Sequence, residues 1–138
     1  MTRLAVLSDV HGNSFALAGV LEQVRGEAVD VLVNLGDIVS GGVDPRGTLE
    51  LLYANAMVTI CGNHERHLLR GAREDLGPSD AFAHDVLTDG DRDWLASLPV
   101  SVEPARGVLA FHGSPTDDLC YLPLSRHECG SDRGSFVR

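Results

Sequence analysis

Residues 4–13 read LAVLSDVHGN, a short apolar run that is followed at once by a cluster of polar residues. A continuous apolar run of this length is typical of a β-strand buried on both faces, as the strands of parallel sheets are. Asp9 and His11 alternate along a segment predicted to be extended, which would place both side chains on one side of the chain. Together they can bind one divalent ion, although an Asp-x-His pair found alone is more often a capping Asp beside a surface His.

An apolar run that ends in a polar cluster occurs three more times in the chain. The clusters are Gly36-Asp37 after residues 29–35, Gly62-Asn63-His64-Glu65 after residues 57–61, and His112-Gly113 after Val108–Phe111. Each cluster alone has a simpler interpretation as a turn or a helix cap. In open α/β sheets, however, ligands bind outside the carboxyl ends of the strands. Four clusters at four predicted strand ends therefore indicate one binding site.

The residue types in these clusters suit divalent metal ions and proton transfer. Asp37 has two carboxylate oxygens and can bridge two ions about 3.5–4 Å apart. Asn63 offers a neutral oxygen ligand, His64 offers a proton donor, and His112 is either a ligand or a turn residue. Glu65 falls in the first turn of a predicted helix, where its charge interacts favourably with the helix dipole.

A helical pattern follows the first cluster. Leu17, Val20, Leu21 and Val24 recur at steps of three and four residues and form one apolar stripe. Ser14 is the predicted N-cap of this helix, and Gly26 marks its predicted end. A helix between two buried strands gives a β-α-β unit, which implies a parallel strand pair with a right-handed crossover. The predicted fold class is therefore α/β with a mostly parallel sheet.

The rest of the chain is predicted to continue in helices and then in a hairpin. A helix is predicted to start near Thr48. A longer helical stretch follows over residues 65–98, with breaks at Gly77-Pro78 and Gly90 and a predicted cap at Ser79. Strands are predicted at 100–102 and 108–111. Because a short turn separates these two strands, they should form an antiparallel hairpin that joins the sheet.

The composition limits the partners of the chain. Its 138 residues include 11 basic and 20 acidic ones, and the net charge of −9 argues against generic binding to nucleic acids or to an anionic membrane. No apolar run approaches the ~20 residues of a membrane span. The three cysteines lack Cys-x-x-Cys spacing and are predicted to be reduced thiols, which favours a cytoplasmic protein.

The end of the sequence differs from the rest. Residues 123–138 hold four apolar residues and show neither a helical nor a strand period. We therefore expect one domain over residues 1–122 and an unpatterned tail over residues 123–138.

Taken in order, these clusters resemble the motifs of the calcineurin-like metallophosphoesterase superfamily. The combination of Asp9-Val10-His11-Gly12-Asn13 with His112-Gly113-Ser114-Pro115 is most similar to its small bacterial phosphodiesterases. The similarity covers about residues 2–122. It implies the N-terminal portion of a layered αββα sandwich. It also implies a metal-dependent phosphoesterase that acts on phosphorylated small molecules, either phosphodiesters or phosphomonoesters.

The resemblance further implies a site for two divalent metal ions, with manganese first and iron, zinc or nickel as alternatives. The implied ligands are Asp9 and His11 for the first metal, Asp37 for both metals, and Asn63 and His112 for the second. In this family pattern a hydroxide between the metals attacks phosphorus, and His64 protonates or steadies the leaving oxygen.

Two features depart from the family pattern. Protein phosphatases of the superfamily carry Asp-Arg-Gly where this chain has Ser40-Gly41-Gly42, so a phosphate-binding arginine is missing and a protein substrate is disfavoured. The family also continues to a Gly-x-His-x-His motif that supplies one histidine to each metal, and this sequence lacks it. The chain is therefore expected to be C-terminally truncated. The alternative function is a non-catalytic remnant that binds metal weakly and forms homo-oligomers through an exposed sheet face.

Overall fold

The computed structural model describes residues 2–120, in which strands and helices alternate before a final hairpin. In chain order, the elements are β1 (Leu4–Leu7), α1 (Ser14–Arg25), β2 (Val31–Asn34), α2 (Pro45–Ala54), β3 (Val58–Thr59), α3 (Asn63–Arg70), a 3-10 turn (Arg73–Asp75), α4 (Pro78–Val86), α5 (Asp89–Ser97), β4 (Ser101–Ala105) and β5 (Val108–Phe111). The predicted tail, residues 123–138, lies outside the described residues, and so does its boundary at residue 122.

A parallel sheet in the order β1-β2-β3 forms the centre of the fold. Leu4 lies opposite Val31, and Val33 lies opposite Val58. Because all three strands run in the same direction, their carboxyl ends meet at one edge of the sheet. The predicted α/β class with a parallel sheet is thus confirmed.

The third strand is shorter than the predicted run 57–61. Ile60 still donates its N–H to the carbonyl of Asn34 at 3.0 Å, but Cys61 donates its N–H to the carbonyl of Pro99 at 2.8 Å. The chain therefore turns away from β2 at this point, and α3 begins directly behind the strand end.

The hairpin forms a sheet of its own. β4 and β5 are antiparallel, as predicted, but within residues 2–120 they do not pair with the parallel sheet. The expectation that the hairpin joins that sheet is therefore wrong. Instead, an apolar cavity of about 270 Å3 lies between the two sheets, bordered by Val6 and Val33 on one side and by Leu109 and Phe111 on the other. Two facing sheets are the inner layers that the predicted αββα arrangement requires.

The buried core lies between the parallel sheet and the helices. Its buried side chains come from every helix α1 to α5, from the loop after β2 and from the C-cap of α4: Leu17, Leu21, Ile38, Val39, Leu49, Leu52, Leu68, Ala83, Leu87 and Leu95. The other face of the sheet is covered only in part, since Val6 is 58% exposed and Leu109 in the hairpin is 56% exposed. The prediction that β1 is buried on both faces is therefore wrong in this structure, because two hairpin strands cover less of the sheet than the helices do.

The first two helices begin where side chains can cap them. The Asn13 side chain, rather than that of Ser14, caps α1, and its Oδ1 accepts the N–H of Ala16 at 3.0 Å. The Ser14 hydroxyl instead donates to Asp44 at 2.6 Å. Asp44 in turn caps α2, which begins at Pro45 and so earlier than predicted. The predicted end of α1 is correct, because its C-cap is a glycine, residue 26.

The later helix boundaries also differ from the prediction. α4 begins at Pro78 behind Gly77, so Ser79 lies inside its first turn instead of capping it. Thr88 caps α5, and Gly90 therefore lies within that helix rather than between two helices. None of the helices in the described part of the chain is long and apolar enough to cross a membrane.

The cysteines differ in their chemical state. Cys61 has a free thiol, and burial together with nearby carboxylates raises its pKa to about 11. This thiol is therefore protonated at neutral pH and is a poor nucleophile. Cys120 is disulfide-bonded, so the expectation of three reduced thiols is wrong for this residue.

Candidate metal centre

The predicted site residues meet at the carboxyl edge of the parallel sheet. They are Asp9 and His11 after β1, Asp37 after β2, Asn63 and His64 at the start of α3, and His112 after β5. Two sets of side chains can each hold an ion, because within a set the candidate ligand atoms all lie within 4.8 Å of one another. The sets are His11-Asp37-His64 and Asp9-Asp37-His112.

Asp37 is the shared member of both sets. Its side chain is only 5% exposed, and its Oδ2 lies 3.9 Å from Nε2 of His11 and 3.5 Å from Nε2 of His112. Its Oδ1 accepts the backbone N–H of His64 at 3.0 Å, which fixes the orientation of the carboxylate. One carboxylate between two imidazoles is compatible with the predicted bridging role.

Three of the predicted ligands have a left-handed backbone. Within residues 2–120, the non-glycine residues with positive φ are Asp9 (φ 56°), His11 (φ 49°) and Asp37 (φ 55°). This conformation costs on the order of 1–3 kcal/mol per residue and is found where the surrounding structure imposes it, often at functional sites. The expectation that Asp9 and His11 lie on an extended segment is therefore wrong. A turn, and not strand alternation, brings Nε2 of His11 within 3.6 Å of Oδ1 of Asp9.

Backbone carbonyls orient two of the imidazoles. Nδ1 of His11 lies 2.7 Å from the carbonyl oxygen of Ser40, and Nδ1 of His112 lies 2.8 Å from that of Leu35. Because a carbonyl oxygen only accepts hydrogen bonds, Nδ1 carries the proton in each ring. In the neutral form of each ring, Nε2 then presents a lone pair to the site, as in metal-binding histidines.

The donor set fits a divalent cation. Nε2 of His112 lies 3.0 Å from Oδ1 of Asn63. When the ring is neutral and Nδ1 holds its proton, two lone pairs face each other in this orientation of the Asn63 amide. Such a contact is unfavourable unless a proton or a cation lies between the two atoms. Carboxylate, amide and imidazole donors together suit the first-row divalent metals.

A buried carboxylate organises the loops beneath the site. The two carboxylate oxygens of Glu65, which is fully buried, accept the N–H groups of Asp37 at 2.9 Å, Ile38 at 2.7 Å and Gly62 at 2.9 Å. Burial raises the pKa of Glu65, while these hydrogen bonds favour its ionised form. The sequence placed Glu65 correctly in the first turn of α3. It did not reveal this role, because Asp37 and Ile38 are distant in the chain.

Two glycines allow the motif loops to approach each other closely. Gly36 has φ 95°, and a Cβ there would lie 2.4 Å from the backbone nitrogen of Gly62. A Cβ on Gly62 would lie 2.3 Å from Oδ1 of Asp37. No side chain fits at either position, so both glycines are needed to place the Asp37 carboxylate.

A second buried carboxylate, which the sequence analysis missed, contacts His64. Nδ1 of His64 lies 2.9 Å from Oδ1 of Asp80, a residue that is 7% exposed at the start of α4. Burial lowers the pKa of His64, but the hydrogen bond to Asp80 and the negative charges of Asp37, Asp80 and Glu65 outweigh it and raise the pKa. The only sequence signal for Asp80 was an acidic residue in a first helical turn, which normally just complements the helix dipole.

Arg66 links α3 to the segment that follows β5. Its Nε and Nη2 atoms donate to the two carboxylate oxygens of Asp118 at 2.6 and 2.5 Å. The guanidinium lowers the pKa of Asp118 through these hydrogen bonds. This bidentate pair holds the loop behind His112 against the helix that carries Asn63.

Comparison with known proteins identifies the family. The sequence pattern described as calcineurin-like phosphoesterase matches residues 2–132. The chain belongs to the calcineurin-like phosphoesterase family, as the order of its motifs predicted.

Individual relatives are similar in sequence and in fold. The symmetrical bis(5'-nucleosyl)-tetraphosphatase of Pseudomonas putida is 33% identical over 115 residues, which are 77% of this chain and 40% of that protein. A metallophosphoesterase crystal structure from Sphaerobacter thermophilus is 30% identical with a TM-score of 0.71, and the match covers 88% of this chain and 51% of that one. A hypothetical protein from Pyrococcus horikoshii shares the fold, with a TM-score of 0.72 at 21% identity over 86% of this chain and 57% of that one. The chain thus spans about half, or less, of the length of the relatives with similar sequences.

Proposed function

We propose that this chain is a metal-dependent phosphoesterase that hydrolyses phosphodiesters or phosphomonoesters of phosphorylated small molecules. The observation that supports this most is the position of Asp37, whose Oδ2 faces His11 across 3.9 Å and His112 across 3.5 Å. Membership of the calcineurin-like phosphoesterase family supports the same class of reaction.

The proposed cofactor is a pair of divalent ions, with manganese as the first candidate and iron, zinc or nickel as alternatives. The residues proposed to hold them are Asp9 and His11 for the first ion, Asn63 and His112 for the second, and Asp37 for both. Proximity alone also permits another grouping, His11 with His64 and Asp9 with His112, again around Asp37. When bound, the ions would supply the Lewis acidity that activates water and offsets the negative charge of the phosphoryl oxygens.

His64 is the proposed general acid. Its Nδ1 is engaged by Asp80, which leaves Nε2 as the ring atom that can reach a substrate. In the proposed step, the imidazolium gives the Nε2 proton to the leaving oxygen and becomes neutral.

We further propose nucleotides with a polyphosphate chain as substrates, which would be cleaved at a phosphoanhydride bond rather than at an ester. The relative from Pseudomonas putida is a bis(5'-nucleosyl)-tetraphosphatase, and the two chains are 33% identical over 115 residues. This chain has a net charge of −9, so bound cations would also offset its repulsion of such an anion. We propose a cytoplasmic location, where nucleotides are available.

The second candidate function is a non-catalytic domain that binds metal weakly and associates with copies of itself. The exposed apolar face supports it, since Val6 and Leu109 beside the cavity between the sheets are 58% and 56% exposed. The chain also spans 40% of the tetraphosphatase and 51% of the Sphaerobacter protein. Apolar patches of this kind commonly mark interaction surfaces.

Counting metal ions and measuring turnover separates the two candidates. After reconstitution with manganese, elemental analysis should find two ions per folded chain, and bis(p-nitrophenyl) phosphate and diadenosine tetraphosphate should be hydrolysed. Asp37→Asn should abolish hydrolysis and keep the fold by circular dichroism, whereas Asp93→Asn, an exposed helix position, is the matched control. Hydrolysis that survives Asp37→Asn would contradict the bridging role. One ion or none, without turnover, would favour the second candidate.

A further inference from the structure

Ser40 connects two predicted site residues that lie on different loops. Its carbonyl oxygen accepts from Nδ1 of His11 at 2.7 Å, and its hydroxyl donates to Oδ1 of Asp80. The same carboxylate oxygen lies 2.9 Å from Nδ1 of His64. Ser40 is fully buried and Asp80 is 7% exposed, so solvent has little access to this chain of contacts.

We propose that Asp80 is a positioning residue for the reaction. It holds the His64 ring with the proton on Nδ1, so that Nε2 is the atom presented to the leaving oxygen, and Ser40 fixes the carboxylate in this orientation. The inference rests on the proposed role of His64 as the general acid.

The orientation of Asp80 distinguishes it from an acidic residue that only stabilises a helix. Asp91 is the third residue of α5, and its Oδ2 accepts the N–H of the preceding cap, Thr88, at 2.9 Å. Asp80 is the third residue of α4, yet its Oδ1 is engaged by the side chains of Ser40 and His64. At the same helical position, Asp91 therefore hydrogen-bonds the cap of its own helix, whereas Asp80 contacts side chains of the candidate site.

The proton inventory of the proposed step is balanced. A carboxylate oxygen only accepts hydrogen bonds, so the contact with Asp80 requires a proton on Nδ1 of His64. In the step, the N–H bond at Nε2 breaks, an O–H bond forms on the leaving group, and the electron pair stays on Nε2. Water then restores the proton to the ring. The Asp80 carboxylate keeps its contact with Nδ1 and stabilises the imidazolium, as a carboxylate does behind a catalytic histidine in other hydrolases.

Substrates that differ only in the leaving group test this role. Asp80→Asn in the manganese-loaded chain should lower kcat by about 10²-fold on a phosphodiester with a phenyl leaving group. The loss should be less than about tenfold with p-nitrophenyl, because a good leaving group needs little protonation. KM and manganese content should not change. Asp85→Asn removes a carboxylate from the same helix, where it pairs with Arg73 at the surface, and should match the wild type on both esters. Equal losses on both esters, or loss of manganese, would overturn the inference.

A second measurement requires no turnover. In the metal-free, 15N-labelled chain, long-range 1H–15N spectra at a pH where His64 is neutral should place its proton on Nδ1. In Asp80→Ala the ring should shift toward the Nε2–H form that free histidine prefers. A wild-type ring with its proton on Nε2 would overturn the inference even if the chain hydrolyses esters. A proton on Nδ1 in a chain that hydrolyses nothing would support the positioning role and reject the proposed function instead.

Discussion

Nε2 of His112 and Oδ1 of Asn63 lie 3.0 Å apart, although 49 positions separate the two residues in the sequence. His112 follows the last strand of the hairpin sheet, while Asn63 opens the helix behind the parallel sheet. The contact therefore joins the two sheets at the candidate site. With the amide in this orientation and the proton of a neutral His112 ring on Nδ1, two acceptors face each other, and a cation between them would make the contact favourable.

Asn63→Ala should weaken the binding of one manganese ion and leave the other nearly unchanged. Residues that only support a metal ligand typically change metal affinity by about 10–100-fold when they are mutated. Because Asn63 is proposed to contact the metal itself, we expect a loss of affinity at least as large. Isothermal titration with manganese measures both sites. Asn55→Ala, which removes a hydrogen bond to Leu51 at the end of α2, is the control and should leave both affinities unchanged. Two unaltered binding events in Asn63→Ala would exclude this residue as a ligand.

His64→Ala should lower kcat by about 10²–10⁴-fold and retain both metals. The distinction matters because His64 also belongs to one of the two side-chain sets that can hold an ion. Measuring turnover and metal content on the same preparation distinguishes a general acid from a metal ligand. If metal content falls together with kcat, His64 is a ligand and not the proposed acid.

Gly62→Ala should displace the Asp37 carboxylate, because the new Cβ would lie 2.3 Å from its Oδ1. We expect a loss of about 2 kcal/mol in the free energy of unfolding, together with weaker manganese binding. Gly19→Ala is the opposite control: nothing lies within 4 Å of its Cβ position in α1, and alanine should stabilise the helix by about 0.5–1 kcal/mol. Urea denaturation of both variants tests the pair. A stable, metal-binding Gly62→Ala chain would contradict the close packing of the loops.

Glu65→Gln should destabilise the chain by about 1–3 kcal/mol, since an amide has one oxygen for three backbone donors and turns its NH2 toward one of them. The measurement is again urea denaturation, here without metal so that ligand effects do not contribute. Glu22→Gln replaces an exposed residue of α1 that pairs with Arg25, and should change the free energy of unfolding by less than about 0.5 kcal/mol. Equal stability of the two variants would show that Glu65 does not support the loops.

Asp118→Asn should cost less than about 1 kcal/mol at neutral pH, because its pair with Arg66 is partly exposed to solvent. The pair holds the pKa of Asp118 below its usual value of 3.8. Its contribution is therefore fully present above pH 3.8 and is lost as the pH falls through the lower folded-state pKa. The gap in unfolding free energy between wild type and variant should close only in that acidic range. A gap that closes nearer neutral pH would assign the effect to another group.

The convergence of the site could be predicted from sequence because it follows from a local rule applied repeatedly. Each polar cluster stands directly behind an apolar run, and parallel strands bring such positions to one edge. Asp9, Asp37 and His112 could be predicted as ligands without knowledge of distant contacts. The β-α-β unit was predictable for the same reason, since strand and helix periods are read over a few neighbouring residues.

The features that the sequence analysis missed all depend on contacts between distant segments. Asp80 is directed at His64 by the packing of α4 on α3, and Glu65 binds a loop of another strand. The hairpin looked like further strands of the parallel sheet, because a hairpin's own pattern does not specify which sheet it joins. The left-handed turn at Asp9 was missed as well, since a non-glycine residue rarely adopts positive φ without imposed contacts.

The left-handed backbone at Asp9, His11 and Asp37 also has an evolutionary consequence. Glycine or asparagine at any of these positions would relieve strain and remove or weaken a proposed ligand in the same substitution. Selection for chemistry and selection for stability therefore act in opposite directions at these three sites. A descendant that does not carry out the proposed reaction should drift toward glycine or asparagine there, so the residues at these three positions would distinguish active copies of the domain from inactive ones.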